Sequence, residues 1–171
     1  MFQTARARWR AGFLALALFC GGSVVFALIL QFQDLAPPCP LCIFQRLGVM
    51  ACGLIGFIAV FCPPRAPHTW LWPSLTCLAA LAGAGVSLRH IQIQSAAAAG
   101  GGSDTCGPGL NYMLQMDSVP NVIASVLTGH GDCTQIDWQI FGITLPMLAL
   151  AGFVMMALWA WGVRSWSARA A

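Results

Sequence analysis

The sequence predicts an all-α integral membrane protein: a four-helix transmembrane bundle with a long loop on the non-cytoplasmic side that carries a short amphipathic helix. Three observations predict it. Of 171 residues, 58% are hydrophobic and only 8% are charged, whereas a soluble domain carries about 25% charged residues. Such a chain cannot cover its own apolar surface in water, so lipid must. Four apolar runs are each long enough to cross the roughly 30 Å hydrocarbon core at about 1.5 Å per residue. The arginines, finally, sort to one side of those runs. Little chain remains once the spans are subtracted, so 1–171 reads as a single membrane domain. The net charge of +3 includes no basic run interleaved with aromatics, and nothing points to a nucleic-acid partner.

The first span, about 11–30, is uncharged and follows Arg6, Arg8 and Arg10. That start mimics a secretory signal, but a cleavable signal has an apolar core of about 7–15 residues. Bulky Phe19 also precedes Cys20, where lipoprotein cleavage would call for a small residue. The run is therefore read as an uncleaved span. A short outer segment, about 31–41, leads to the second span, about 42–62, whose one charge is Arg46. Pro63-Pro64-Arg65-Ala66-Pro67-His68 is a tight, proline-stiffened inner connection to the third span, about 70–88. The fourth covers about 141–163. Pro73 and Pro146 fall in first turns, where a missing N–H breaks no helical bond.

The long outer loop, about 89–140, has two parts. Ala96 to Ser103 is alanine, glycine and serine, reads as unable to bury a core, and is expected to be a flexible tether. Beyond Cys106, the residues Leu110, Met113, Leu114, Val119, Val122, Ile123, Val126 and Leu127 recur at roughly helical spacing, and Pro120 can open a second turn. Either an amphipathic helix on the membrane surface or a loop helix packed on the bundle accounts for this.

With the N-terminus inside, the inner segments hold Arg6, Arg8, Arg10, Arg65, Arg164 and Arg169, and the outer side only Arg46 and Arg89. Both termini are then cytoplasmic under the positive-inside rule. All five acidic residues fall outside.

Eight cysteines allow 105 pairings, and topology prunes them. Cys20, Cys52 and Cys77 lie inside spans, where cysteine acts as a small buried hydrophobe. Cys62 sits at the cytoplasmic end, where thiols stay reduced. Cys39, Cys42, Cys106 and Cys133 remain on the oxidising side. Cys39-Pro40-Leu41-Cys42 is a C-x-x-C at a helix start, with Pro40 suited to the first helical position and Cys39 to the cap. Unpaired N–H groups and the helix dipole there favour negative charge on sulfur. Arg46 shares a helix face with Cys42, and an arginine near the membrane boundary calls for an anion or a snorkelling role. Redox chemistry is the favoured reading over a structural disulfide. No metal is expected, because thiolate zinc sites normally take four ligands and no second C-x-x-C exists. A c-type haem would require histidine where Ile43 stands. Cys106 and Cys133 flank the loop helix in glycine-bearing contexts. A bond between them would close a long loop, and spacing alone favours a stabilising staple.

These residues together resemble the DsbB family, the membrane enzymes that reoxidise the periplasmic dithiol oxidase DsbA in a relay that keeps the periplasm oxidising. Pro38-Cys39-Pro40-Leu41-Cys42-Ile43-Phe44-Gln45-Arg46 looks like the family's Cys-x-Leu-Cys segment with its arginine. Gly131-Asp132-Cys133, followed by Trp138, Gly142 and Pro146, looks like its second-loop cysteine leading into the fourth helix. The resemblance implies a bacterial inner-membrane enzyme. A reduced DsbA-like partner attacks Cys106 in a Cys106–Cys133 disulfide; Cys133 then attacks Cys39 and releases Cys42 as a thiolate beside a membrane quinone, ubiquinone or menaquinone. It implies that Arg46 holds the thiolate and a quinone oxygen, and that His90, at the end of the third span, hydrogen-bonds a quinone carbonyl. Gln31 and Gln33 are weaker candidates, and His130 could tune Cys133. Around Cys106 the chain departs from the expected segment, which bears on docking of the partner. Other readings are a vitamin K epoxide reductase-like enzyme, a four-thiol metal-binding membrane protein or transporter, and a disulfide-stapled scaffold subunit. The first places its C-x-x-C on the last helix. The second would want acidic residues in the spans, which are absent here.

Overall fold

The computed structural model describes residues 2–33, 39–62, 68–101, 118, 121, 139–140 and 142–169. Cys106, Cys133, His130, the 110–127 segment apart from Ser118 and Asn121, and the 63–67 connection lie outside the described residues. Four long helices dominate: α1 (Phe2–Phe32), α2 (Pro40–Phe61), α3 (Leu71–Ala96) and α4 (Leu145–Ala168). Each is long and apolar enough to cross a membrane. A 3₁₀ turn, His68–Trp70, leads into α3, and a two-stranded hairpin, β1 (Gln139–Ile140) and β2 (Ile143–Thr144), leads into α4.

Three helix boundaries differ from those read in the sequence. Helix α1 starts at Phe2, before the apolar run, because a helix satisfies its own backbone whether lipid or water surrounds it. Helix α3 continues to Ala96 and then as a π-helical turn, Ala97–Gly101, where a flexible tether was expected. Alanine is the best helix former, so the alanines prolong a helix already nucleated. Helix α4 begins at Leu145, later than the apolar run, because the chain first makes the hairpin. Gly142 holds φ at +80° in its turn, a left-handed conformation that glycine adopts at little cost.

Helix α1 packs on α2 and α4, and α3 packs on the same two helices, while α2 and α4 touch only slightly. Trp9, Phe13, Leu16 and Cys20 recur every three or four residues along α1 and form one face of the core. They meet Cys52 and Ala59 of α2 and Phe153, Met156, Ala160 and Val163 of α4. Small residues allow the close approach. The Phe153 ring lies against Gly48 and Gly83, and a Cβ on Gly83 would come within 2.2 Å of it. Trp9 Nε1 donates to the Ala59 carbonyl at 2.9 Å and Trp159 Nε1 to the Gly12 carbonyl at 3.0 Å. The outward faces are as apolar as the core: Leu18, Leu54, Leu78 and Leu158, one from each helix, are 61–68% exposed. That surface suits acyl chains.

The termini share one end of the bundle. There the Arg8 guanidinium stacks over Trp166 at 5.4 Å and Arg164 over Trp161 at 5.3 Å. Paired tryptophan and arginine are what a membrane–water boundary favours.

Candidate functional site

The opposite end carries the C-x-x-C. Cys39 is the N-cap of α2, in extended backbone conformation at φ −72° and ψ 159°, and its sulfur accepts the Cys42 N–H at 3.2 Å. This is the capping bond that serine or aspartate oxygen makes elsewhere, and Pro40 occupies the first turn as the sequence suggests. The geometry brings the sulfurs of Cys39 and Cys42 to 2.7 Å, so little movement separates the dithiol from a disulfide. Cys39 is buried, in a small apolar cluster with Leu41 and Ile93, and Cys42 is half-buried beside it.

His90 is 2% exposed and lies within α3, with its Nε2 3.9 Å from the Cys39 sulfur. It does not end the helix, as expected from hydropathy, but faces the cysteines from a helix that continues past it. Its Nδ1 lies 3.5 Å from the side-chain amide of Gln45, also buried. Gln94, one turn beyond His90, is buried on the same side. Gln45 and Gln94 were missed by the sequence reading. Their signal is an amide placed among apolar residues, which in a membrane span must find a partner.

Arg46 reaches across to α1. Its Nη1 donates to Gln31 Oε1 at 2.5 Å and its Nη2 to the Ala27 carbonyl at 3.3 Å. The guanidinium is thus tied to α1, not to Cys42. An amide oxygen and a backbone carbonyl are stronger acceptors than a thiol, and α1 presents both. Gln31, a minor candidate in the sequence, positions this charge. Gln33 is exposed.

Cys39, Cys42, Gln45, Arg46, His90 and Gln94 all border a cavity of about 670 Å³. Apart from Ser23, whose hydroxyl donates to the Phe19 carbonyl, its remaining walls are apolar and include Phe19, Phe26 and Leu30 of α1, Val49 of α2, and Pro146, Leu148, Ala149 and Met155 of α4. Phe26, Leu148 and Met155 are 40–48% exposed on the bundle surface, so the cavity reaches the lipid-facing side between α1 and α4. The arrangement can alternate between dithiol and disulfide and can hold an apolar ligand with hydrogen-bonding oxygens at one end. Cys39, Cys42 and His90 also place three metal-ligating atoms within 4.8 Å of one another.

The other described cysteines are apart from this site. Cys20 donates to Met156 Sδ at 3.3 Å and Cys52 to the Thr76 carbonyl at 3.8 Å, both in the core. Cys77 is half-buried, and Cys62 is exposed at the end of α2.

The family model described as "Disulfide bond formation protein DsbB" matches residues 9–163. Relatives described as "Disulfide bond formation protein B" include one from Chromobacterium violaceum, 40% identical over 91% of this chain and 94% of its own length. One from Xanthomonas oryzae pv. oryzae is 37% identical over 90% of each chain. One from Acinetobacter baylyi is 38% identical over 88% of this chain and 86% of its own. No solved structure gives a significant match.

Proposed function

The chain belongs to the DsbB family, membrane proteins of disulfide bond formation, and from that premise we propose that it is a quinone-dependent thiol oxidoreductase. It reoxidises a periplasmic DsbA-like dithiol oxidase and passes the electrons to a membrane quinone, ubiquinone or menaquinone. The observation that carries this reading is the adjacent sulfur pair opening onto a largely apolar cavity walled by helices long and apolar enough to cross a membrane. A soluble disulfide exchanger has no use for such a cavity.

The residues present fit a quinone. Small-ligand sites occupy about 300–1,000 Å³, apolar with a few convergent polar groups, and this cavity of about 670 Å³ gathers its polar groups at the cysteine end. Arg46, His90 and Gln94 would hold the ring oxygens. A bound quinone supplies the electron sink, taking two electrons and two protons to become the quinol.

The partner's thiolate attacks Cys106 of a Cys106–Cys133 disulfide, forming a mixed disulfide and freeing Cys133. Cys133 attacks Cys39; the Cys39–Cys42 bond breaks and Cys42 leaves as a thiolate. The helix N-terminus beneath Cys42 steadies that charge, and the Cys39 cap keeps the sulfurs in register for re-forming their bond. The partner's second thiolate then attacks its own mixed-disulfide sulfur and releases Cys106. Cys106 attacks Cys133, releasing Cys39 and restoring Cys106–Cys133. The two electrons of the partner's dithiol now rest on Cys39 and Cys42.

The same reading makes the chain one membrane domain in the bacterial inner membrane, with both termini cytoplasmic and the cysteine end periplasmic. The arginine count and the Arg8–Trp166 and Arg164–Trp161 pairs at the terminal end support it.

The test is oxidation of a reduced thioredoxin-fold partner by purified protein with quinone. Cys42→Ser is expected to abolish quinone reduction, and undiminished turnover would refute the reading. Cys106→Ser should leave Cys39–Cys42 oxidisable by quinone yet fail to oxidise the partner. Normal partner oxidation by that variant would refute the division of labour.

A further inference from the structure

We propose that the dithiol form of Cys39–Cys42, together with His90, is a binding site for a thiophilic divalent cation, Zn²⁺ in particular, and that the disulfide form is not. The inference needs only the reduced pair and does not depend on a quinone being the acceptor.

Three features of the cluster carry it. The first is the donor set: the ligand atoms of Cys39, Cys42 and His90 lie within 4.8 Å of one another, and two sulfurs with one imidazole is a known three-ligand zinc set that keeps a fourth position open. Sequence spacing cannot reveal it, because the third ligand comes from α3.

The second is the geometry. Zn–S bonds of about 2.3 Å and a Zn–N bond of about 2.0–2.1 Å place tetrahedral ligands about 3.5–3.8 Å apart. The Cys39 sulfur and His90 Nε2 are already 3.9 Å apart. The sulfurs, at 2.7 Å, must open by about 1 Å. Side-chain rotation of Cys42 in the first helical turn can supply this.

The third is the surroundings. Metal-binding histidines are oriented by a partner on the other ring nitrogen. Here the Gln45 amide nitrogen lies 3.5 Å from Nδ1, and a flip exchanges amide nitrogen and oxygen in place. With the oxygen at Nδ1, that ring nitrogen carries the proton and Nε2 is left as the ligand facing the sulfurs. Zn²⁺ replaces two thiol protons, so the complex of one cation with two thiolates is neutral. Burial penalises a neutral group less than an ion, and His90 and Cys39 are 2% and 7% exposed. Arg46, the nearby fixed charge, is held on α1 by Gln31 and Ala27.

The consequence is a brake. Sulfurs committed to the metal are withheld from disulfide formation, so the cation holds the chain reduced. Once the pair is a disulfide, its sulfurs have no thiolate to offer and the site is gone.

The experiment uses the full-length chain in detergent micelles with Cys106→Ser and Cys133→Ser, which removes the loop thiols as competing ligands. The protein is reduced, freed of reductant without oxygen, and titrated with Co²⁺ and then Zn²⁺. One Co²⁺ per chain is expected, with thiolate-to-cobalt charge-transfer absorption that Zn²⁺ abolishes. The same chain oxidised at Cys39–Cys42 should show no such absorption, a comparison that requires no mutation at the site. His90→Ala should weaken binding by roughly tenfold or more, and Gln45→Leu by about 10–100-fold. Absence of the thiolate bands would overturn the proposal. So would equal binding by oxidised chain, or unchanged affinity in His90→Ala.

Discussion

At the end of the bundle that holds the termini, α1 and α4 are in contact; toward Cys39 the same two helices part around a cavity. In the closed half, a Cβ on Gly12 would lie 2.5 Å from Val163, and Trp159 donates to the Gly12 carbonyl. In the open half, Gly22 of α1 borders the cavity with nothing within 4 Å of where a Cβ would stand. The same residue type thus serves opposite ends. In one it lets helices touch, and in the other it leaves space for a ligand. Membrane helices gain little from burying apolar surface against each other, since lipid is equally apolar. Close packing therefore makes one half stable and leaves the other free to be a site.

Substitutions at these positions should separate the halves, beginning with the largest effect. Gly12→Leu forces α1 from α4 and should cost about 1–3 kcal/mol in unfolding measured in micelles. Wild-type stability would mean that the contact is loose. Gly22→Phe should instead stay within about 0.5 kcal/mol of wild type while raising KM for quinone roughly tenfold, because the ring fills the proposed binding space. A loss of stability without a change in KM would reverse the assignment of the halves. Trp159→Phe removes one hydrogen bond across the closed interface and should cost about 0.5–1.5 kcal/mol with quinone kinetics unchanged.

The two regions also differ in how far the sequence discloses them. Four spanning helices follow from hydropathy, because crossing lipid demands long, internally hydrogen-bonded apolar segments. The helix cap was legible too, since Cys39-Pro40 is local chemistry. What hydropathy does not report is where a helix ends, which explains the alanine-rich continuation of α3 and the hairpin before α4. Nor does it report which residues meet across helices. The spacing of Cys42 and Arg46 suggests an interaction along α2, whereas the stronger acceptors for Arg46 sit on α1. His90 could be named from its position, but Gln45 behind it and the three-atom cluster with both sulfurs depend on how α2 and α3 pack. Those contacts lie some fifty residues apart in the chain.

The central claim is that Cys39 and Cys42 deliver electrons directly to a quinone. It is tested most directly by a single turnover of the chain carrying Cys106→Ser and Cys133→Ser, reduced at Cys39 and Cys42 and mixed with quinone without oxygen. One equivalent of quinone should be consumed per chain as both thiols become inaccessible to alkylation. Thiols that stay fully alkylatable beside unconsumed quinone would contradict it.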